Sequence, residues 1–279
     1  VVRYAFSTLG LPGAPLDAVL RLAAETGCAG VELRCAEDEP IRPDMSPAER
    51  QAAVQAFRRA AIEPMGLASY VRIGQSGDDA PVINDLVRHI VLATDLGIPT
   101  VRVFPGGEEA AACRRLRATA DIAAANGVKV LVETHDSHRN ADAVARLLEL
   151  VDSPAIGAIW DVLHTHLGGD APQDAARLLS PHLGYVQIKD VADTTNLTPV
   201  RLGAGVLPLR ESVDALLDTG YDGWLVWEYE ARWFPAAEPL PAVLAAGLDW
   251  QRDSFRHRFH PAPGPHQAIA PADVTLDTK

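Results

Sequence analysis

One unit recurs along this chain: a stretch rich in Ala, Leu and Arg, a glycine stop, then a short run of apolar and β-branched residues. The stretch from Leu16 to Thr26 meets Gly27 and then GVELR. Asp85 to Leu96 meets Gly97 and then TVRVF. Leu116 to Asn126 meets Gly127 and then VKVLVET, and Leu209 to Thr219 meets Gly220 and then GWLVWEY. Glycine just past a helix is the expected stop, because it takes the left-handed conformation without a Cβ clash. The runs that follow are apolar nearly throughout, as parallel strands covered on both faces must be. A chain built this way alternates strand and helix, which excludes helix bundles and antiparallel sandwiches.

The same reading yields eight strands: Val2–Ser7, Gly30–Arg34, Glu63–Ser69, Thr100–Phe104, Lys129–Thr134, Ile156–Asp161, Gly184–Lys189 and Trp224–Tyr229. They recur about every 25 to 40 residues, the length of one strand and its helix. Eight such units predict a single-domain α/β protein, a (β/α)8 TIM barrel, over residues 1–258. The competing doubly wound sheet usually carries a glycine-rich phosphate loop after its first strand. Here that position reads STLGLPGAP, neither GxGxxG nor a Walker sequence. Residues 259–279 are proline-rich without helical or strand period, and are expected to form a loosely ordered tail.

Composition narrows the function. Apolar residues make up 48% of the chain and the net charge is −12. The first value allows a large core; the second disfavours a polyanionic partner, since nucleic-acid binding rests on clustered Lys and Arg. The tightest basic group, Arg114, Arg115 and Arg117, reads as a solvated helix face. Three cysteines, Cys28, Cys35 and Cys113, form no CxxC and suit free thiols in a reducing compartment. No apolar stretch reaches the roughly 18 residues needed to span a bilayer. With no charged leader before the first strand, a cytoplasmic protein is expected.

Four consecutive predicted strands, VKVLVET, AIGAIWD, LGYVQIKD and GWLVWEY, end on an oxygen ligand: Glu133, Asp161, Gln187 and Glu228. Carboxylates at the ends of apolar strands are costly unless something pairs with them. A divalent cation held between strand ends answers that cost. Catalytic groups of a barrel gather at this face. Side chains two apart on a strand share a face, so Lys189 joins Gln187 and His135 joins Glu133. His164 follows Asp161 by three residues, one turn on if the segment coils. His138 and His182 read as solvent-exposed. Arg34, Glu37 and Arg72 are polar candidates without a role, and Trp160, Trp227 and Trp233 divide between core packing and pocket wall.

The ordered set GVELR, VETHDS, WDxxH, VQIKD, RLGAGVLPL and VWEYE resembles the xylose-isomerase-like barrel superfamily over about residues 1 to 255. That group includes sugar phosphate isomerases and epimerases, ketose 3-epimerases, hydroxypyruvate isomerases, inosose isomerases and dehydratases, and endonuclease IV-type nucleases. The resemblance implies one divalent metal on Glu133, Asp161, Gln187 and Glu228, with substrate contacts from His164 and Arg201, and with Lys189 and His135 as further substrate-side groups. Two departures stand out. The frequent HIKD motif is here Gln187-Ile188-Lys189-Asp190, and the usual GEG is Gly203-Ala204-Gly205. An amide oxygen at Gln187 makes the ligand set all oxygen, which favours Mn²⁺ or Mg²⁺ over Co²⁺ or Zn²⁺.

The implied activity is a metal-dependent isomerase or epimerase of a small hydroxy-carbonyl carbohydrate or polyol-derived ketone. Proton transfer would run through a metal-stabilised enediolate, with Glu133 and Glu228 as the proton carriers. Dehydration of a cyclic polyol ketone, of the inosose or 3-dehydroshikimate type, shares the first step. An endonuclease IV-like nuclease would need a richer histidine set than this chain offers, and a non-catalytic barrel would have no use for the four ligands. A homo-oligomer is compatible with the resemblance; nucleic-acid and membrane partners are not expected.

Overall fold

The computed structural model describes residues 2–259, with side chains through Phe255. Eight parallel strands close into a barrel: β1 (Arg3–Ser7), β2 (Gly30–Arg34), β3 (Glu63–Arg72), β4 (Thr100–Phe104), β5 (Lys129–Glu133), β6 (Ile156–Asp161), β7 (Leu183–Ile188) and, closing against β1, β10 (Trp224–Trp227). Two short strands, β8 (Asp190–Val191) and β9 (Pro199–Val200), form an antiparallel pair in the connection after β7. The predicted barrel is therefore present. The differences lie at the ends, where β3 runs on to Arg72 and β10 stops at Trp227. All but the first residue of the expected tail falls outside the described residues.

The helices between the strands are α1 (Leu16–Thr26), α2 (Pro47–Ala60), α3 (Asp79–Leu96), α4 (Glu109–Ala125), α5 (Ala141–Val151), α6 (Val162–Leu167), α7 (Pro172–Leu179) and α8 (Leu209–Asp218), and α9 (Leu240–Phe259) follows β10. The glycine stops behave as the sequence requires: Gly27 and Gly97 cap α1 and α3 at φ of 70° and 71°. Ser46 and Glu49 form a reciprocal capping box at the start of α2, which satisfies donors the first turn would otherwise leave open. Among the described residues, no helix is long and apolar enough to cross a membrane.

Strand periodicity sorts the side chains into two cores. The odd-numbered inner positions Ala5, Met65, Leu131, Ile159 and Tyr185 fill the barrel with Trp224 and Val226. Outward-facing residues such as Val101, Val130, Val186 and Leu225 pack beneath the helices in a much larger cluster. Because alternate residues share a face, the inner position two residues after Leu131 is Glu133. In the same way Asp161 follows Ile159, Gln187 follows Tyr185 and Glu228 follows Val226. A polar layer thus sits on top of the apolar plug, at the C-terminal face of the barrel.

Candidate active site

The four expected oxygen ligands are all buried at this face. Asp161 and Gln187 are direct register partners across β6 and β7, and the Glu228 amide donates to Ile188 O at 3.0 Å. Asp161 has two duties. As the N-cap of α6 its Oδ1 accepts from the Leu163 and His164 amides at 2.8 and 3.3 Å. That cap coils the chain directly after the strand and turns His164 back, leaving its Nε2 4.0 Å from Asp161 Oδ2.

Two cations are set among these acids. Arg102 Nη1, from β4, lies 3.0 Å from Glu133 Oε2 and 3.5 Å from Glu228 Oε1. Its Nη2 donates to Ser69 O at 3.0 Å, and the guanidinium lies 4.2 Å from the Phe104 ring centroid. Lys189 Nζ lies 2.8 Å from Asp161 Oδ2 and 2.6 Å from Glu230 Oε1, and it also pairs with Glu228. Below them Glu32 Oε1 accepts from Tyr185 Oη at 2.5 Å and from Gln187 Nε2 at 3.0 Å. The same Gln187 nitrogen donates to Glu228 Oε1 at 3.0 Å.

Strand parity contains the signal for Glu32 and Arg102, which sequence reasoning left without a role. Each is a charged residue at an inward position of an apolar strand, and a buried charge there must have a partner. Glu32, Glu133, Asp161 and Glu228 are buried and Glu230 is 19% exposed at its side chain, against two buried cations, Arg102 and Lys189. Acids exceed bases in this cluster. Burial pushes Glu133 well above the usual carboxylate range, aided by Glu228 and Asp161, although Arg102 opposes it. Burial likewise raises Glu32 and Glu230. For Asp161 burial is also the largest influence and pushes upward, but Lys189, His164 and their hydrogen bonds outweigh it and leave the carboxyl lowered. Burial and four carboxylates act oppositely on Lys189; the carboxylates prevail and its ammonium is raised well above the ordinary range.

The imidazoles line one side of the mouth. His135 and His164 lie with ring centroids 4.1 Å apart, and Phe104 lies 4.5 Å from His135. Burial pulls His164 down to about 3 and lowers His135, so His164 presents a neutral ring with a free lone pair at neutral pH. Glu133, His135 and His164 each bring a ligand atom within 4.8 Å of the others and could hold a metal ion. Two buried acceptors in the layer, Glu32 Oε2 and Gln187 Oε1, lack a hydrogen-bond partner, and Asp161 Oδ2 meets only Lys189 Nζ at 2.8 Å and His164 Nε2 at 4.0 Å. Orphaned acceptors and surplus negative charge fit a divalent cation.

Other expected positions fall elsewhere. Arg201 follows β9 with an exposed side chain, and among the described residues no hydrogen bond or ion pair joins it to the cluster. The Asp190 carboxylate that follows Lys189 accepts from the Gly203, Gly205 and Leu207 amides at 2.9, 2.9 and 3.2 Å, so it pins the loop after β9. His138, read as exposed, is buried against Ser137, whose Oγ lies 2.9 Å from its Nδ1. Arg115, read as part of a solvated face, is 1% exposed; Arg114 and Arg117 remain outside. Trp160 and Trp227 are core residues, whereas Trp233 is 52% exposed.

Among solved structures the chain is similar to the IOLI protein with a binding zinc atom, at 17% identity over 94% of this chain and 100% of that one, TM-score 0.78. It is similar to D-psicose 3-epimerase with D-tagatose from Clostridium cellulolyticum H10, at 16% identity over 91% and 99%, TM-score 0.77. It also resembles the probable 3-DHS dehydratase AsbF of Bacillus anthracis, at 18% identity over 90% and 99%, TM-score 0.74. Identities this low establish the shared fold alone. No curated protein matches the chain. Residues 20–254 match the family described as xylose isomerase-like TIM barrel, and with the closed eight-stranded barrel this places the chain in that family.

Proposed function

We propose that this protein is a divalent-metal-dependent isomerase or epimerase of a small hydroxy-carbonyl compound, a ketose or a polyol-derived ketone. The observation that carries the reading is the pairing of Glu133 and Glu228 on one guanidinium nitrogen of Arg102, at 3.0 and 3.5 Å. Two carboxylates from non-adjacent strands thereby face one space. One can remove the proton next to a carbonyl while the other returns it to the neighbouring carbon or to the opposite face. Lys189, His135 and His164 border the same space and can donate to or accept from substrate hydroxyls. Arg201, exposed beyond β9, is proposed to reach substrate only from the loop side.

Two donor sets for the cation share Glu133. The all-oxygen set expected from the sequence is Glu133, Asp161, Gln187 and Glu228, and the unpartnered Gln187 Oε1 supports it. Lys189 must then withdraw from Asp161 and Glu228. The second set is Glu133 with His135 and His164, which leaves Lys189 on its carboxylates and shifts preference from Mg²⁺ toward Mn²⁺, Co²⁺ or Zn²⁺. A divalent cation, when bound, polarises the substrate carbonyl as a Lewis acid. Metal content of Q187L and H164A protein separates the sets, because each variant removes a donor of only one.

Lys189 supports dehydration as a second outcome. Its ammonium sits between Asp161, Glu228 and Glu230, where it can protonate a departing β-hydroxyl after the same first step. Deuterium incorporation from D₂O into candidate ketoses and cyclic ketones tests the shared step, and a new enone absorbance identifies elimination. Glu133→Gln and Glu228→Gln should each lower the exchange rate by about 10²–10⁴-fold. Near-normal exchange in both variants overturns the assignment.

A further inference from the structure

Beside the carboxylate layer, on the β2–β3 side of the mouth, lies a cleft of about 480 Å³ bordered by Arg34, Glu37, Tyr70, Asp85, Arg88 and Trp233. We infer that this cleft is a second subsite for an uncharged polyhydroxylated ring, so that the substrate is a ring-bearing ketone, a glycoside-like compound, rather than a bare monosaccharide. The inference rests on the proton-transfer reading of the neighbouring site and specifies its substrate.

The cleft and the catalytic layer share a wall. The Tyr70 ring has the Arg34 guanidinium carbon 5.2 Å and the Arg102 guanidinium carbon 5.5 Å from its centroid, and its centroid lies 6.0 Å from that of Phe104. The opposite wall comes from the chain that carries the catalytic acids. Glu228 lies in the layer, Glu230 takes Lys189, and three residues later Trp233 stands at the cleft. Its turn is rigidly tied: the Arg232 amide donates to Leu9 O at 3.1 Å and the Trp233 amide to Glu230 O at 3.0 Å. A substrate reaching from Glu228 into the cleft follows this segment.

The lining selects the ligand. Tyr70 and Trp233 are 38% and 52% exposed; the Arg34 guanidinium carbon lies 5.2 and 5.8 Å from their ring centroids, so the aromatic area offered to a ligand is what Arg34 leaves uncovered at the mouth. Such faces suit the C–H side of a sugar ring, with the polar groups between them fixing its hydroxyls. The cations of the cleft are already matched. Arg34 pairs with Asp38 and Glu39 at 2.8 and 2.6 Å and donates to Tyr70 Oη at 2.8 Å. Arg232 pairs with Asp38 at 2.5 Å and Arg88 with Asp85 at 3.9 Å. Among the described residues the carboxylates here at least equal the guanidinium groups, so the cleft offers no net positive charge for a phosphate or carboxylate arm, and the exposed Glu37 opposes one.

The test compares equilibrium binding of three ketoses: isomaltulose, which carries a glucosyl ring, fructose, which lacks it, and fructose 6-phosphate, which replaces it with a charge. Isothermal titration calorimetry reads the affinity in the wild type and in every variant, and Trp233 emission in the wild type places the ligand at the cleft. The expected result is isomaltulose binding at least about tenfold tighter than fructose, with the advantage lost in Trp233→Ala and kept in Trp233→Phe. Equal affinity for isomaltulose and fructose, tighter binding of fructose 6-phosphate, or an advantage that survives Trp233→Ala in folded protein overturns the subsite. Binding is read without turnover, so failed deuterium exchange would sink the proton-transfer reading and leave this result standing on its own.

Discussion

Arg115 offers the sharpest test of how the barrel mouth is held. It lies on α4, is 1% exposed, and its guanidinium is used at every nitrogen. Nε meets Asp79 Oδ1 at 2.8 Å, Nη1 donates to Ile73 O and Gln75 O at 2.8 and 2.7 Å, and Nη2 donates to Gly77 O and Asp78 O at 2.8 and 3.4 Å. One side chain therefore satisfies four carbonyls of the β3–α3 connection, while Gly74 O accepts from the Glu108 amide at 2.8 Å. Arg115→Met keeps the length and apolar stem but removes every donor. The Ile73 carbonyl is left buried and unpaired at about 1–3 kcal/mol, while the other carbonyls and Asp79 recover part of their loss from water. Breaking a buried charged network of this kind costs about 3–5 kcal/mol in total. At about 2–4 °C per kcal/mol for a chain of this size, the melting temperature should fall by about 6–20 °C. Calorimetry or urea unfolding measures it. Arg115→Lys should recover only part, because one ammonium cannot span the fork. A loss under about 1 kcal/mol for Arg115→Met would refute the view that these bonds hold the loop.

Other outcomes follow from the same geometry. Gly205→Ala would place a Cβ 2.2 Å from both Asp190 Oδ1 and Val191 O; the loop after β9 must move, so crystallography of this variant should show Asp190 released from the Gly203 and Gly205 amides. Burial pushes the Cys28 thiol up to about 11 and that of Cys35 up to about 12. Both should resist iodoacetamide at about pH 8, where thiolate is scarce, and react readily in denaturant; fast labelling of native protein contradicts their packing. Mn²⁺ at 100 times its Kd should stabilise the folded state by about 2.7 kcal/mol, and the shift should vanish in Glu133→Gln, the residue common to both donor sets. An unchanged melting curve with Mn²⁺, Mg²⁺, Co²⁺ and Zn²⁺ rules out the cation.

The barrel was readable from the chain because its signals are local. Glycine stops after four of the helices and apolar runs at strand length depend only on neighbouring residues, so eight strand–helix units emerge without any distance information. Strand ends also follow from the sequence to within a few residues, which is why Glu133, Asp161, Gln187 and Glu228 could be named and why they share one face. Closure decided the rest. Arg102 on β4 meets Glu228 beyond β10, and Glu32 on β2 meets Tyr185 and Gln187 on β7, only because the barrel brings distant strands together across its interior. Periodicity cannot reveal such partners, though a charge inside an apolar strand signals that one exists. The same limit explains Arg115 and His138. Their local sequences are polar, and only packing against loops far along the chain shows them buried. Sequence alone determined which carboxylate and amide side chains face the mouth; the tertiary structure decided which cations stand among them, because charge compensation is a property of space rather than of order along the chain.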